Sequence, residues 1–405
     1  MSLLSRFFIV VLLLSLLGSA CGSSTIGSSR IVVSNSTSTV AKSTAQVNKY
    51  STSLPVTGEV SWIYNCERGF SAYRQNHSVG GKAQDVFLYG DFYINQQNGS
   101  VESSNDPCVQ QVISYVHSVG AKVNGVLVFG TSQADQNAYY MQNVANGSFS
   151  LDSIVQALQN GHYDGLIGDF ETLDPSKANL FTQFSAAVYS KLKGRYLWGQ
   201  ALIHKTNQDQ SIVWLNGFQD WAGLAHTVDY FVVMAIDEYI SSESHPNSTN
   251  PKPITGGDWL KEIVQYAKDA IPNMLGKIVW EFALYYSWWY KDSSGIWLPV
   301  SGYSYTYKEL QQRISHYDTL PPANQFENHP NGDAPYIHFI GNDGNEYYVY
   351  YETPDSLRLL TEELTRYVGS SVNCIREANW VRDQHEPAGV WNILDTDSHI
   401  NFCTS

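Results

Sequence analysis

Charge is what this chain has least of. Lys, Arg, Asp and Glu make up 15% of its 405 residues, against roughly a quarter in an average domain. Basic residues are the scarcer half, 24 against 38 acidic, which leaves a formal charge of −14. Such a balance repels phosphate backbones and argues against nucleic acid as a partner. No run of 18 apolar residues occurs, so no segment is long enough to cross a bilayer as a helix. No Cys-x-x-Cys or His-Glu-x-x-His spacing occurs either, which leaves a zinc site without support, and neither metal nor cofactor is expected.

Cysteine is sparse, five in all, but its placement is informative. Arg6, the apolar run Phe7 to Leu17 and the small residues Gly18-Ser19-Ala20 read as a signal peptide over 1–20. Cys21 follows at once, so the junction resembles a lipobox, although Gly18 stands where Leu is usual. Lipidation of Cys21 and plain cleavage after Ala20 both remain open. A lipid on Cys21 would be the chain's one link to a membrane. Residues 21–54 are rich in Ser and Thr without apolar periodicity and read as a flexible tether. Four cysteines remain, Cys66, Cys108, Cys374 and Cys403, an even set that an exported chain can pair in three ways. Proximity in sequence favours Cys66 with Cys108 and Cys374 with Cys403.

Aromatics are plentiful, with 27 Tyr and 11 Trp, as suits either a surface that meets sugars or a Tyr-rich core. From Val60, eight short apolar runs alternate with helical segments. They begin near Val60, Asp85, Asn124, Tyr163, Tyr196, Asp229, Lys277 and Ala388. Most are continuously apolar, as strands buried on both faces of a parallel sheet are. Asp106-Pro107 and Asp174-Pro175 each supply a helix cap and a first-turn Pro. Gly120 and Gly194 stop those two helices, while Ser150 is placed to cap a third that ends at Gly161. The pattern predicts a (β/α)8 barrel over 55–405. About 100 residues separate the seventh run from the eighth, too many for one βα unit, and predict a small α+β insertion near 289–350. Tyr336–Phe339 and Tyr347–Tyr351, either side of "GNDGNE", suit a hairpin there. A helix from Asp355 to about Tyr367 should follow it, with Leu357, Leu360 and Leu364 facing inward.

The fourth run, "YDGLIGDFETL", ends in two acids. Alternate strand residues share a face, so Ile167, Asp169 and Glu171 point together, into the barrel and toward its C-terminal mouth. Two acids that close do not both ionise cheaply, and one should keep its proton near neutral pH, as a general acid must.

"DGLIGDFE" resembles the Asp-x-x-Asp-x-Asp-x-Glu signature of glycoside hydrolase family 18, the chitinase family, and within it the spore-germination or cortex-lytic type. "VDYFVVMAIDEY" is similar to that family's Met-x-Tyr-Asp strand, which contributes Met234 and Asp237. "KIVWEFALYYSWW" resembles its seventh-strand region, "YYVYYETPDSLRLL" the approach to its seventh helix, and "GVWNIL" the end of its eighth strand. The resemblance spans roughly 59–395. It implies an exported monomeric hydrolase of polysaccharides containing β-1,4-linked N-acetylglucosamine, from peptidoglycan or chitin. Glu171 would protonate the glycosidic oxygen, the substrate's acetamido oxygen would act as nucleophile, and Asp169 would orient it, with retention of configuration. Asp237 would hold the acetamido group or the attacking water. Trp391, Tyr285, Trp288 and Met234 would bind sugar.

Ile167 and Ile236 stand where the family keeps a polar partner for Asp169 and a Tyr hydroxyl, and Glu281 and Ala283 replace its Gly and Pro. These departures keep open a weak or inactive glycan-binding protein on the same barrel. A solute-binding lipoprotein is a third reading, because signal, Cys21 and tether would suit it equally.

Overall fold

The computed structural model describes residues 58–63, 66–78, 83–95, 98–128, 134–171, 173–207, 213–238, 251, 253–283, 287–299, 335–341, 343–381 and 400–403. The signal, Cys21 and the tether lie outside them.

Parallel strands form the frame. They are β1 (Glu59–Ile63), β2 (Asp85–Ile94), β4 (Val123–Val128), β5 (Gly165–Asp169), β6 (Leu197–Ile203), β7 (Tyr230–Met234), β8 (Ile278–Phe282) and β13 (Glu377–Val381), while a short β3 (Val101–Ser103) pairs antiparallel with β2. Each barrel strand pairs with the next, and β1 pairs with both β2 and β13, so the ring closes. This is the expected (β/α)8 barrel.

The continuous apolar runs bury two cores at once. One face of each strand, exemplified by Leu166, Trp198, Phe231 and Trp280, meets the surrounding helices. The other face, exemplified by Phe87, Val126, Ile167, Val232 and Val279, fills the barrel. Those helices are α1 (Cys66–Ser78), α2 (Pro107–Ser118), α3 (Ala134–Ala145), α4 (Asp152–Gly161), α5 (Ala178–Leu192), the short α6 (Val213–Asn216) and α7 (Trp221–Leu224), α8 (Gly257–Ala270) and α9 (Pro354–Val368). Disulfides join Cys66 to Cys108 and Cys374 to Cys403, the pairing that proximity favours.

Capping follows the sequence in most places. The Asp106 carboxylate accepts from Cys108 N at the start of α2, and Asp174 accepts from Ser176 N in a 3-10 turn that runs into α5. At α4 the details differ. Leu151 occupies the cap position, while Ser150 Oγ accepts from Asp152 N. Gly161 lies inside the last turn, where a Cβ would come within 2.4 Å of the Tyr163 ring. His162, at φ 60°, takes the left-handed position instead. That glycine serves packing rather than termination.

The eighth strand lies earlier than the run near Ala388, which is outside the described residues. It is β13, "EANWV", whose polar residues hydrogen-bond inside the fold, although Asn379 Oδ1 has no partner among the described residues. The Arg376 guanidinium, buried beside it, donates to Gly276 O at 2.8 Å, and Asn379 Nδ2 donates to Glu377 Oε1 at 3.1 Å. Thr361 Oγ1, on α9, lies 2.7 Å from Glu377 Oε2 and 2.9 Å from Leu357 O. One hydroxyl hydrogen is thus divided between two acceptors, which weakens what Thr361 gives the carboxylate. Burial pushes the Glu377 carboxyl up to about 7, against the pull of Thr361 and Asn379. The folded protein then holds this proton more tightly than the unfolded chain, and stability falls as pH rises from about 4.5 through 7. Glu377→Gln keeps the neutral group. In urea titrations at pH 5 and pH 8, wild type should lose about 2 to 3 kcal/mol more than the variant over that interval.

The insertion between β8 and α9 is, among the described residues, a four-stranded antiparallel sheet. It comprises β9 (Ser287–Lys291), β10 (Trp297–Pro299), β11 (Tyr336–Ile340) and β12 (Glu346–Tyr350), in the order β10-β9-β12-β11. The expected hairpin is β11 with β12. Thr353 and Ser356 then form a capping box that opens α9, with Leu357, Leu360 and Leu364 buried as expected.

Candidate active site

The site is built on the end of β5. Leu166 and Phe170 point outward; Ile167 and Asp169 point in. Phe170 is locked edge-on against Phe181 and Phe184 of α5, at ring separations of 5.7 and 5.5 Å. Gly168 makes room for this. A Cβ there would come within 2.6 Å of the Phe170 ring and 2.7 Å of Trp198. With Phe170 anchored outside, the strand's alternation directs Asp169 and then Glu171 to the mouth.

Depth divides the two acids. Asp169 is 8% exposed, and its Oδ1 has no hydrogen-bond partner among the described residues. Burial, and then the charge of Glu171, hold its carboxyl well above the usual carboxylate range. Glu171 is exposed at the rim. Desolvation, and then Asp237, push it up to about 7.

Asp237 reaches the same site from the end of β7. Its backbone is left-handed, φ 61°, a region that costs most residues roughly 1–2 kcal/mol and that Asp tolerates better. Neighbours impose it. Thr255 Oγ1 donates to Ala235 O at 2.6 Å, Glu238 N donates to Ile254 O at 3.0 Å, and Gly256 N donates to the Glu238 carboxylate at 3.0 Å. Asp169, Glu171 and Asp237 are therefore one electrostatic group, in which the charge of each of the last two raises a neighbour.

Ile167 and Ile236 are buried in the inner core. Ile167 is fully buried one layer below Asp169 and offers it no hydrogen bond. Met234, 6% exposed, joins the same apolar cluster just beneath the mouth. Trp288 lies elsewhere than expected. It is 4% exposed within the insertion, edge-on to Phe339 at 6.0 Å and Tyr347 at 6.2 Å, so its ring is packing and not an open sugar platform. Tyr285 and Trp391 fall outside the described residues.

Further residues, to which the sequence assigned no role, pack at or beneath this end. Tyr89, half-buried at the top of β2, packs toward Trp62 at 6.3 Å. Glu281 on β8 lies between Val279 and Ala283 of the inner core and is fully buried. A barrel-facing acid amid apolar neighbours gives no alternating signal. Two glutamines, Gln200 and Gln219, are fully buried beside β5, and polarity alone would have placed them on the surface.

No family model matches the chain, and no curated protein matches it. Solved structures do. A chitinase from Chromobacterium violaceum superposes with a TM-score of 0.65 at 18% identity, covering 84% of this chain and 98% of that one. The spore cortex-lytic enzyme SleL of Bacillus cereus gives 0.64 at 16%, covering 86% and 75%. A class V chitinase mutant from Nicotiana tobaccum in complex with NAG4 gives 0.59 at 14%, covering 83% and 97%. At these identities the likeness is one of fold.

Proposed function

We propose that this chain is an exported glycoside hydrolase that cleaves β-1,4-linked N-acetylglucosamine polymers of the peptidoglycan or chitin kind, with retention and with the substrate's acetamido group as nucleophile. The observation that carries the reading is the graded acid pair on β5. Asp169 is buried with an open Oδ1, and Glu171 stands above it at the mouth with its pKa pushed to about 7. A carboxyl that holds its proton near neutrality can deliver it to a glycosidic oxygen and take one from water afterward.

In this scheme Glu171 protonates the leaving oxygen as the acetamido oxygen closes on the anomeric carbon, giving an oxazolinium ion and a shortened chain. Asp169 presents Oδ1 toward the acetamido nitrogen. Asp237 holds the acetamido group or the attacking water. Water, deprotonated by Glu171, then opens the oxazolinium ring and restores the acid for the next turnover. Lipidation of Cys21, with the tether over 21–54, would hold this site away from a membrane surface.

The test is reducing-end release from purified peptidoglycan and chitin oligomers incubated side by side with wild type. Release from either substrate is expected, and no release from both would reject hydrolysis. A second reading, a glycan-binding protein without turnover, draws on the apolar Ile167 and Ile236. It expects oligomers that bind and come back intact.

A further inference from the structure

A buried amide bridges the strand ends beneath Glu171. The β5 ladder runs as far as Gly168 opposite Gln200 on β6 and Asp169 opposite Val128 on β4. Beyond those rungs the strands part to open the mouth, and the peptide joining Phe170 to Glu171 lies past the last rung with β6. Gln219, fully buried in the loop between α6 and α7, reaches into this gap. Its Nε2 donates to Phe170 O at 3.2 Å and lies 3.4 Å from Ala201 O, while its Oε1 accepts from Ile203 N at 2.7 Å. One side chain thus replaces the missing rung. One step below, Gln200 Nε2 donates to Gly168 O at 2.7 Å.

The loop is fastened so that the amide cannot withdraw easily. Lys205 Nζ donates to Gln219 O at 2.6 Å, Asn216 Nδ2 donates to His204 O at 2.8 Å, and Gln219 N donates to Asn216 O at 3.0 Å. Gly217 permits the close approach, since a Cβ would lie 2.5 Å from Val213 O and 2.9 Å from Pro175. The Phe170 residue is therefore held twice, by its ring against α5 and by its carbonyl through Gln219. The next residue along the chain is Glu171.

We propose that Gln219 is a positioning residue for Glu171, which it holds over Asp169 and beside Asp237 by clamping the Phe170 carbonyl. The proposal rests on the hydrolytic reading only for its kinetic consequence; the clamp itself can be read without turnover. Without the amide, the Phe170–Glu171 peptide loses its partner and turns toward water, taking the Glu171 carboxyl away from Asp237.

Gln219→Leu and Gln219→Asn test this, with folding verified by thermal melts. Carbon NMR of the Glu171 carboxyl, assigned with Glu171→Gln, provides the readout that needs no substrate. In Gln219→Leu its titration should move down by at least about one pH unit from wild type, toward the ordinary glutamate range. On oligomers kcat should fall by about 10- to 100-fold, with KM changed less than about threefold. In Gln219→Asn the amide is one methylene shorter and cannot span to Phe170 O, so this variant should shift the Glu171 titration in the same direction as Gln219→Leu without adding a charge. A folded Gln219→Leu with the wild-type Glu171 titration overturns the proposal. If Gln219→Leu does not fold, Gln219→Asn decides by the same titration, and an unchanged Glu171 overturns the proposal equally. If wild type cleaves nothing, the hydrolytic reading fails while the titration still decides the clamp.

Discussion

Glu171→Gln should lower turnover of N-acetylglucosamine oligomers by about 10²- to 10⁴-fold, the range that removal of a positioned acid and base costs. Binding of the same oligomers should persist, because the amide fills the same volume at a rim position with solvent access. The pH dependence gives an independent check. Glu171 must carry its proton to act as the acid, and its carboxyl is pushed up to about 7 by desolvation and by Asp237. Activity should accordingly fall as pH rises through about 7 rather than through the ordinary glutamate range. Asp237→Asn removes one of the two causes, and the basic limb should then move to lower pH. A profile that stays put in Asp237→Asn would remove Asp237 from the acid group. Kinetics of the two variants against wild type, with calorimetry for binding, measure all of this.

The second large effect concerns the substrate. If the nucleophile is the acetamido oxygen, deacetylated oligomers of equal length should be cut at least about 10³-fold more slowly, since an intramolecular nucleophile is worth effective molarities far above that factor. The protein offers no evident substitute among the described residues of the site. Asp169 is buried one layer below Glu171 with a raised pKa, and a carboxyl that keeps its proton is a poor nucleophile. Comparable rates on acetylated and deacetylated oligomers would assign nucleophilic attack to a protein carboxylate instead. Products of both digestions, separated by chromatography, give the ratio directly.

Much of this was legible in the sequence because barrel strands buried on both faces leave continuous apolar runs, and alternation within "GLIGDFE" assigns its acids to one face. The eighth strand escaped because Glu377, Asn379 and the preceding Arg376 look solvent-exposed in sequence, yet each finds its hydrogen bond inside the fold. The left-handed Asp237 is set by contacts with 254–256, about 20 residues downstream, and no local pattern encodes it. Trp288 misled for a related reason. An aromatic just past a barrel strand can face the cleft or the insertion, and only the β9–β12 register turns it toward Phe339 and Tyr347. Gln219 belongs to the same class, since its importance lies in where two strand ends part.

Ile167 now has a defined consequence. Beneath Asp169 it leaves Oδ1 without a partner among the described residues, so the acetamido nitrogen of a bound sugar would supply the only new hydrogen bond. The loss of one such stabilising partner costs about 1–3 kcal/mol, enough to slow an enzyme and too little to abolish it.

Mass spectrometry of N-acetylglucosamine oligomers after incubation with wild type in water labelled with heavy oxygen tests the central claim most directly. The account predicts shorter oligomers, with one label per cleavage, carried at the new reducing end of the fragment from the non-reducing side, while the leaving fragment stays unlabelled. Oligomers recovered at full length and without label would contradict it.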